Sequence, residues 1–178
     1  WIAGDLADTR SIEQLVKGAD AVVHAALSRE GAGVIGSEGE LVGCVEQNVL
    51  GSLRLIQSAV HHDVGRFIFI STCAVHDVIL GDRPLDEAHP LWPKSHYGAH
   101  KAAIEKFVHS FGLGEGYDIC APRPTGIYGL ARPVERSKWY RLVQEVRQGK
   151  PVNSAVGGKE VHAADVATAV HLLLGAPG

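Results

Sequence analysis

At 178 residues, with 46% hydrophobic and 21% charged side chains and 21 glycines, the chain has the size and make-up of one globular domain, not of a disordered or fibrous polymer. A net charge of −3, with Lys and Arg scattered singly, excludes a basic stripe for nucleic acid, and no apolar run approaches the roughly 20 residues of a membrane span.

In chain order, Trp1-Ile2-Ala3-Gly4-Asp5 reads as the end of a strand, and a chain that opens there without a Met is expected to be a piece of a longer one. Residues 8–17 open on the capping types Asp8, Thr9 and Ser11, set Ile12, Leu15 and Val16 on one face and stop at Gly18, the pattern of a short amphipathic helix. Residues 21–26 read as a compact apolar strand. Residues 40–61 repeat apolar side chains at helical spacing (Leu41, Val45, Val49, Leu53, Ile56, Ala59), and 66–71 is the continuous apolar run of a parallel strand covered on both faces. The Pro-rich stretch 83–93 reads as loop, 95–111 as helix, 117–121 as strand, and 134–148 and 165–174 as helices. This alternation predicts an α/β fold, a doubly wound parallel sheet with helices on both faces, in a single domain over 1–178. Cys44, Cys73 and Cys120 are odd in number, widely spaced and set in apolar or helical stretches, so they are expected as buried free thiols of the reducing cytoplasm.

The chemistry concentrates in Tyr97-Gly98-Ala99-His100-Lys101. A Tyr and a Lys four residues apart on a helix point the same way, and an ammonium beside a phenol favours its anion, which makes an acid/base group usable nearer neutral pH. His96 and His100 share the spacing, but no third ligand is evident and no metal site is expected. Gly31-Ala32-Gly33-Val34-Ile35-Gly36 matches the dinucleotide fingerprint letter for letter. Its setting argues for a plain glycine loop: Ser28-Arg29-Glu30 separate it from the strand, Glu30, Glu38 and Glu40 would repel a pyrophosphate, and the next strand ends in Ile70-Ser71 without a carboxylate.

Six linked blocks carry a wider resemblance: Gly4-Asp5-Leu6, Val22-Val23-His24-Ala25-Ala26, Asn48-Val49-x-Gly51-Ser52, Phe69-Ile70-Ser71-Thr72, the Tyr97 to Lys101 run, and Arg123-Pro124-Thr125-Gly126-Ile127-Tyr128-Gly129 followed by Val161-His162-Ala163-Ala164-Asp165. In order and spacing the chain resembles the extended short-chain dehydrogenase/reductases, specifically the NAD-dependent epimerase/dehydratase family. The resemblance implies a Rossmann-like domain lacking that family's first βαβ unit and its C-terminal substrate-binding part. It implies NAD or NADP as cofactor, undecided between the two, a small-molecule substrate of nucleotide-sugar type, and a homodimer through the helices of 40–61 and 95–111. By the same resemblance Tyr97 is the general acid/base, Lys101 lowers its pKa and holds the nicotinamide ribose, and Thr72 hydrogen-bonds the reacting oxygen. Asp5 and Leu6 would meet the adenine, Ala25 and Ala26 would admit the cofactor backbone, Asn48 would support the lysine through its backbone and water, Ser71 would stand beside the cofactor, and Pro124 and Thr125 would border the nicotinamide.

Three departures bear on the reaction. Family dehydratases place an Asp-Glu pair directly after the catalytic Thr, whereas Cys73-Ala74 follow Thr72 here, which favours an epimerase or a reductase. Gly126 and Gly158 stand where relatives often carry a substrate-binding Asn and Arg, with Lys159 one residue from the latter. His76-Asp77 stands where many relatives have Tyr-Gly and is expected either to touch substrate or to be a solvated loop pair; His162 is expected to be structural. A reductase of a small carbonyl compound and a non-catalytic binding or regulatory member of the fold remain as alternatives.

Overall fold

The computed structural model describes residues 1–28, 40–152 and 158–176. Strands β1 (Ala21–His24), β2 (Arg66–Phe69) and β3 (Ile119–Cys120) form a parallel sheet in the order β1-β2-β3, with Val22 opposite Phe67, His24 opposite Phe69 and Ile68 opposite Cys120. Parallel neighbours need a crossover between them, and each here carries helix. The central strand is buried on both faces, Phe67, Ile68 and Phe69 being no more than 1% exposed.

Helix α1 (Thr9–Val16) begins where Asp8 Oδ1 accepts from the Arg10 amide at 3.0 Å, and the chain turns away at Gly18, whose φ of +73° favours glycine. The helix expected over 40–61 is realised in three pieces: α2 (Leu41–Cys44), a π-helical turn (Val45–Leu50) and α3 (Gly51–His61). The wider turn shifts the phase of α3 relative to α2, so Leu41 and Leu50 stand exposed while Val49, Leu55, Ile56 and Ala59 go inward. Helix α4 (His96–His109) starts on Ser95, whose Oγ accepts from the Gly98 amide at 3.1 Å, and runs into a second π-helical turn (Ser110–Gly114).

Other boundaries differ from the sequence expectation. The strand expected over 21–26 stops at His24, and that over 117–121 shrinks to two residues, because Pro122 and Pro124 lack the N–H that would extend the ladder; their carbonyls still accept from Ser71 and Cys73. The helix expected over 134–148 is broken at Trp139, whose φ of +69° leaves a 3₁₀ turn (Val134–Arg136) and α5 (Tyr140–Arg147). A second small parallel sheet, unforeseen, pairs β4 (Gly126–Tyr128) with β5 (Glu160–His162). Helix α6 (Ala163–Gly175) begins two residues early because His162 Nδ1 accepts from the Ala164 amide at 3.2 Å, which gives His162 its structural role.

Ile12 and Val16 of α1, Leu55, Ile56 and Ala59 of α3, and Ile104 and Val108 of α4 close over Phe67 and Phe69 as one core cluster. Alternation points Ile68 to the opposite face, where α6 packs on β2, so helices cover both faces as expected. No described helix is long and apolar enough to cross a membrane. Phe67→Ala should cost about 3–5 kcal/mol in urea unfolding, whereas Leu113→Ala, at a site 89% exposed, should stay within about 0.5 kcal/mol.

Candidate active site

Parallel sheets offer ligand-binding groups beyond the carboxyl ends of their strands. β2 is followed by Ile70-Ser71-Thr72, and α4 lays Lys101 onto that end: Nζ donates to the Ile70 carbonyl at 2.7 Å and sits 4.4 Å from the centroid of the Phe69 ring. An ammonium only 5% exposed needs such partners, since a buried cation without them is strongly unfavourable. Tyr97, half-buried, lies one turn earlier on the same helix. Thr72, also half-buried, caps the 3₁₀ turn Cys73–His76, its Oγ1 accepting from the Ala74 amide at 3.2 Å. Between Gly98 and this turn there is no room for a side chain: a Cβ at Gly98 would lie 2.7 Å from the Ala74 carbonyl oxygen and from Pro93 Cβ. One strand end thus carries Thr72 and grips the helix that presents Tyr97.

Beneath these residues lies an ion pair that sequence reasoning missed. Glu105 is 1% exposed; Arg123 Nε donates to its two oxygens at 3.1 and 3.0 Å, and Nη2 to Oε2 at 2.6 Å. Ser71, expected beside the cofactor, is buried and its hydroxyl donates to Glu105 Oε1. The signal was available: Glu105 continues the four-residue spacing of Tyr97 and Lys101, so all three share one helix face.

On the β1 side, Ala25 and Ala26 are exposed immediately beyond the strand, small residues at the same sheet edge. Asn48 clamps the segment after β1 with its side chain: Oδ1 accepts from the Ser28 amide at 2.8 Å and Nδ2 donates to the Ser28 carbonyl at 3.0 Å. The Asn48 carbonyl accepts the Ser52 hydroxyl at 2.5 Å, so that hydroxyl in turn accepts from His24 Nε2 at 2.7 Å, which fixes His24 as the neutral Nε2–H tautomer. Burial, and then the charge of Lys101, lower the His24 pKa from 6.5 to about 4. Asp5 is exposed and accepts from the Ala7 amide at 2.8 Å, while Leu6 packs on the core.

Pro124 and Thr125 border an apolar cavity of about 330 Å³ together with Ile70, Val166 and Val170. Thr125 also reaches a larger open cavity of about 790 Å³ shared with Cys73, His76, Arg123 and Lys159. The cysteines depart from their expected burial. None of the three is in a disulfide, but Cys73 is exposed, because it opens the turn at the cavity, and Cys44 and Cys120 are half-buried; burial pushes the Cys120 thiol up. His76 is neither a solvated loop residue nor turned outward, being 7% exposed and bonded to Arg123 and to the Pro90 carbonyl. Of the i, i+4 histidines, His100 is buried and His96 exposed, and no group of three or more potential ligands for a metal occurs among the described residues. The glycine run at 31–36 lies outside the described residues.

A parallel sheet wound in this order, with helices on both faces and Lys101 and Thr72 at the end of its central strand, defines a Rossmann-like α/β domain. The whole chain, residues 1–178, matches the NAD dependent epimerase/dehydratase family and belongs to it. Among curated relatives, dTDP-glucose 4,6-dehydratase of Streptomyces niveus is 33% identical over 129 residues, 72% of this chain and 37% of the relative. The mouse dTDP-D-glucose 4,6-dehydratase is 30% identical across 100% of this chain and 51% of its own length. The chain therefore spans between about a third and a half of such relatives. Among solved structures, Thermus thermophilus UDP-glucose 4-epimerase in complex with NAD superposes with a TM-score of 0.77 at 26% identity, covering 99% of this chain and 60% of that one. DesIV, a dTDP-glucose 4,6-dehydratase of Streptomyces venezuelae with NAD bound, gives 0.76 at 29% identity, covering 97% and 53%.

The buried groups set two expectations. As pH falls below 6.5 the unfolded His24 takes a proton that the folded one refuses until about pH 4, so stability drops across that window by about 3 kcal/mol and levels off below it. His24→Gln should flatten that part of the profile, measured by urea unfolding at a series of pH values. Arg123→Met leaves the Glu105 carboxylate uncompensated and should cost about 3–5 kcal/mol, most of it recovered when Glu105→Leu is added.

Proposed function

We propose that this chain is the NAD(P)-binding and catalytic part of an enzyme that transfers hydride reversibly at a hydroxyl or keto carbon, in the manner of a nucleotide-sugar epimerase or a related oxidoreductase, without eliminating water. The observation that carries the reading is the joint anchoring of Lys101 on the Ile70 carbonyl and of Thr72 two residues beyond it, with Tyr97 one turn from Lys101.

In this reading Tyr97 is the acid/base that exchanges the substrate hydroxyl proton. Lys101 would hold the nicotinamide ribose, and the Thr72 hydroxyl donates to the reacting oxygen. The dinucleotide fits the residues present: Ala25 and Ala26 leave the strand edge open, Asn48 holds the Ser28 backbone rigid beside it, and Asp5, Leu6, Ser71, Pro124 and Thr125 would complete its surroundings. When bound, the nicotinamide supplies the hydride acceptor and donor. Support for a nucleotide-sugar substrate comes from the relatives, which are named for dTDP-glucose and UDP-glucose.

The reading against elimination rests on Cys73-Ala74, which offer neither a carboxylic acid nor a carboxylate base directly after Thr72. The curated relatives of S. niveus and mouse are dehydratases, so elimination is the competing outcome. We further propose a homodimer through the helical stretch 40–61 and α4, supported by the exposed Leu50 and Phe107, and residence in the cytoplasm, in keeping with three cysteines outside any disulfide.

Incubation with nucleotide sugars and NAD or NADP, read by mass spectrometry, separates the possibilities. A product of unchanged mass is expected; one lighter by a water would overturn the reading in favour of dehydration, and net oxidation of added reduced nicotinamide would favour a simple carbonyl reductase. Tyr97→Phe should leave dinucleotide affinity nearly intact and lower turnover by about 10²–10⁴-fold.

A further inference from the structure

Three consecutive residues after the Thr72 turn bond across to the segment that leads into α4. His76 Nδ1 donates to the Pro90 carbonyl at 3.3 Å, Asp77 Oδ2 accepts from the Lys94 amide at 2.8 Å, and the Val78 amide donates to the Trp92 carbonyl at 3.3 Å. With its proton on Nδ1, His76 offers Nε2 as acceptor to Arg123 Nη1 at 2.9 Å, so the same imidazole ties the clasp to the Glu105–Arg123 pair under Lys101. Beyond Lys94 the chain needs one residue, the cap Ser95, before α4 opens at His96 and presents Tyr97. Behind Val75 the turn ends at Thr72, whose carbonyl accepts from the Val75 amide. The approach at Gly98 closes the gap between the two from the other side.

We propose that His76 and Asp77 are positioning residues that set Thr72 against Tyr97 by clasping the loop before α4 to the turn after β2. The proposal rests on the catalytic reading of Tyr97 and Thr72. A Tyr-Gly pair in these positions would lack the Asp77 carboxylate and the imidazole nitrogen facing Arg123, so the clasp belongs to this chain's own residues. Thr72 follows a strand buried on both faces, whereas the loop 83–93 buries only His89, with Pro90, Leu91 and Pro93 half-buried, and is tied to the turn by these bonds. Losing them frees the entry to α4 without touching the Lys101 anchor, so the penalty falls on the alignment of the reacting groups and not on the retention of the cofactor.

Asp77 is exposed, so its replacement leaves the core intact. In Asp77→Ala, amide hydrogen exchange in the 92–98 segment should quicken about tenfold, the loss of one hydrogen bond. The rate constant kcat should fall by about 10–10²-fold with KM and dinucleotide affinity unchanged, the signature of misplaced reacting groups. Asp77→Asn, which keeps an acceptor for the Lys94 amide, should restore both. Unchanged exchange in Asp77→Ala overturns the clasp; quickened exchange with unaltered kcat overturns its positioning role, as does an Asp77→Asn variant as impaired as Asp77→Ala. Tyr97→Phe assayed alongside separates the two readings: undiminished turnover there defeats the catalytic reading itself, whereas a dead Tyr97→Phe beside a fully active Asp77→Ala defeats only the clasp.

Discussion

A strand buried on both faces has to come to an end, and where it does its polar backbone must be satisfied without water. β2 meets that requirement at Ile70 by accepting the Lys101 ammonium. The bond serves both partners: the carbonyl gains a charged donor and the ammonium gains an acceptor inside the fold. Because Lys101 lies on α4 and Ile70 at the end of β2, the same bond fixes the height of the helix along the sheet. The placement of Tyr97, the close approach at Gly98 and the burial of Glu105 all depend on that height.

The second constraint is a carboxylate placed where water does not reach. Glu105 accepts three hydrogen bonds from Arg123 and one from Ser71, so nearly all of its lone-pair capacity is used. Geometry of this kind is what lets a buried ion pair stand at all, and it ties α4, the end of β2 and the segment after β3 into one rigid body. The residues around the larger cavity are held by this body together with Val108, which the cavity shares with the hydrophobic core of Phe67, Phe69 and Ile104.

Much of the architecture was legible from local signals. Asp8 and Gly18 mark the ends of α1, the apolar run at 66–69 marks a doubly covered strand, and the Tyr97–Lys101 spacing places both on one helix face. What escaped is what local signals do not encode. Nothing in the 40–61 periodicity distinguishes a π-helical turn from an α-helical one, since the difference is one residue of phase. β4 and β5 are three residues each and exist only because they find one another across more than thirty positions. His76 looks like any loop histidine until Arg123, 47 residues away, is brought to its Nε2. Trp139 gives no sequence hint of a left-handed backbone, because bulky residues seldom adopt one.

Phe69 has a contact with each of two polar groups. Its ring supports the Lys101 ammonium on one contact and packs against the His24 imidazole, centroids 5.5 Å apart, on another. Burial, and then the charge of Lys101, keep the His24 imidazole neutral, so the ring of Phe69 has one charged and one uncharged neighbour. A single ring thus couples the core to the strand end: whatever displaces Phe69 disturbs the packing of His24 and the seat of Lys101 together.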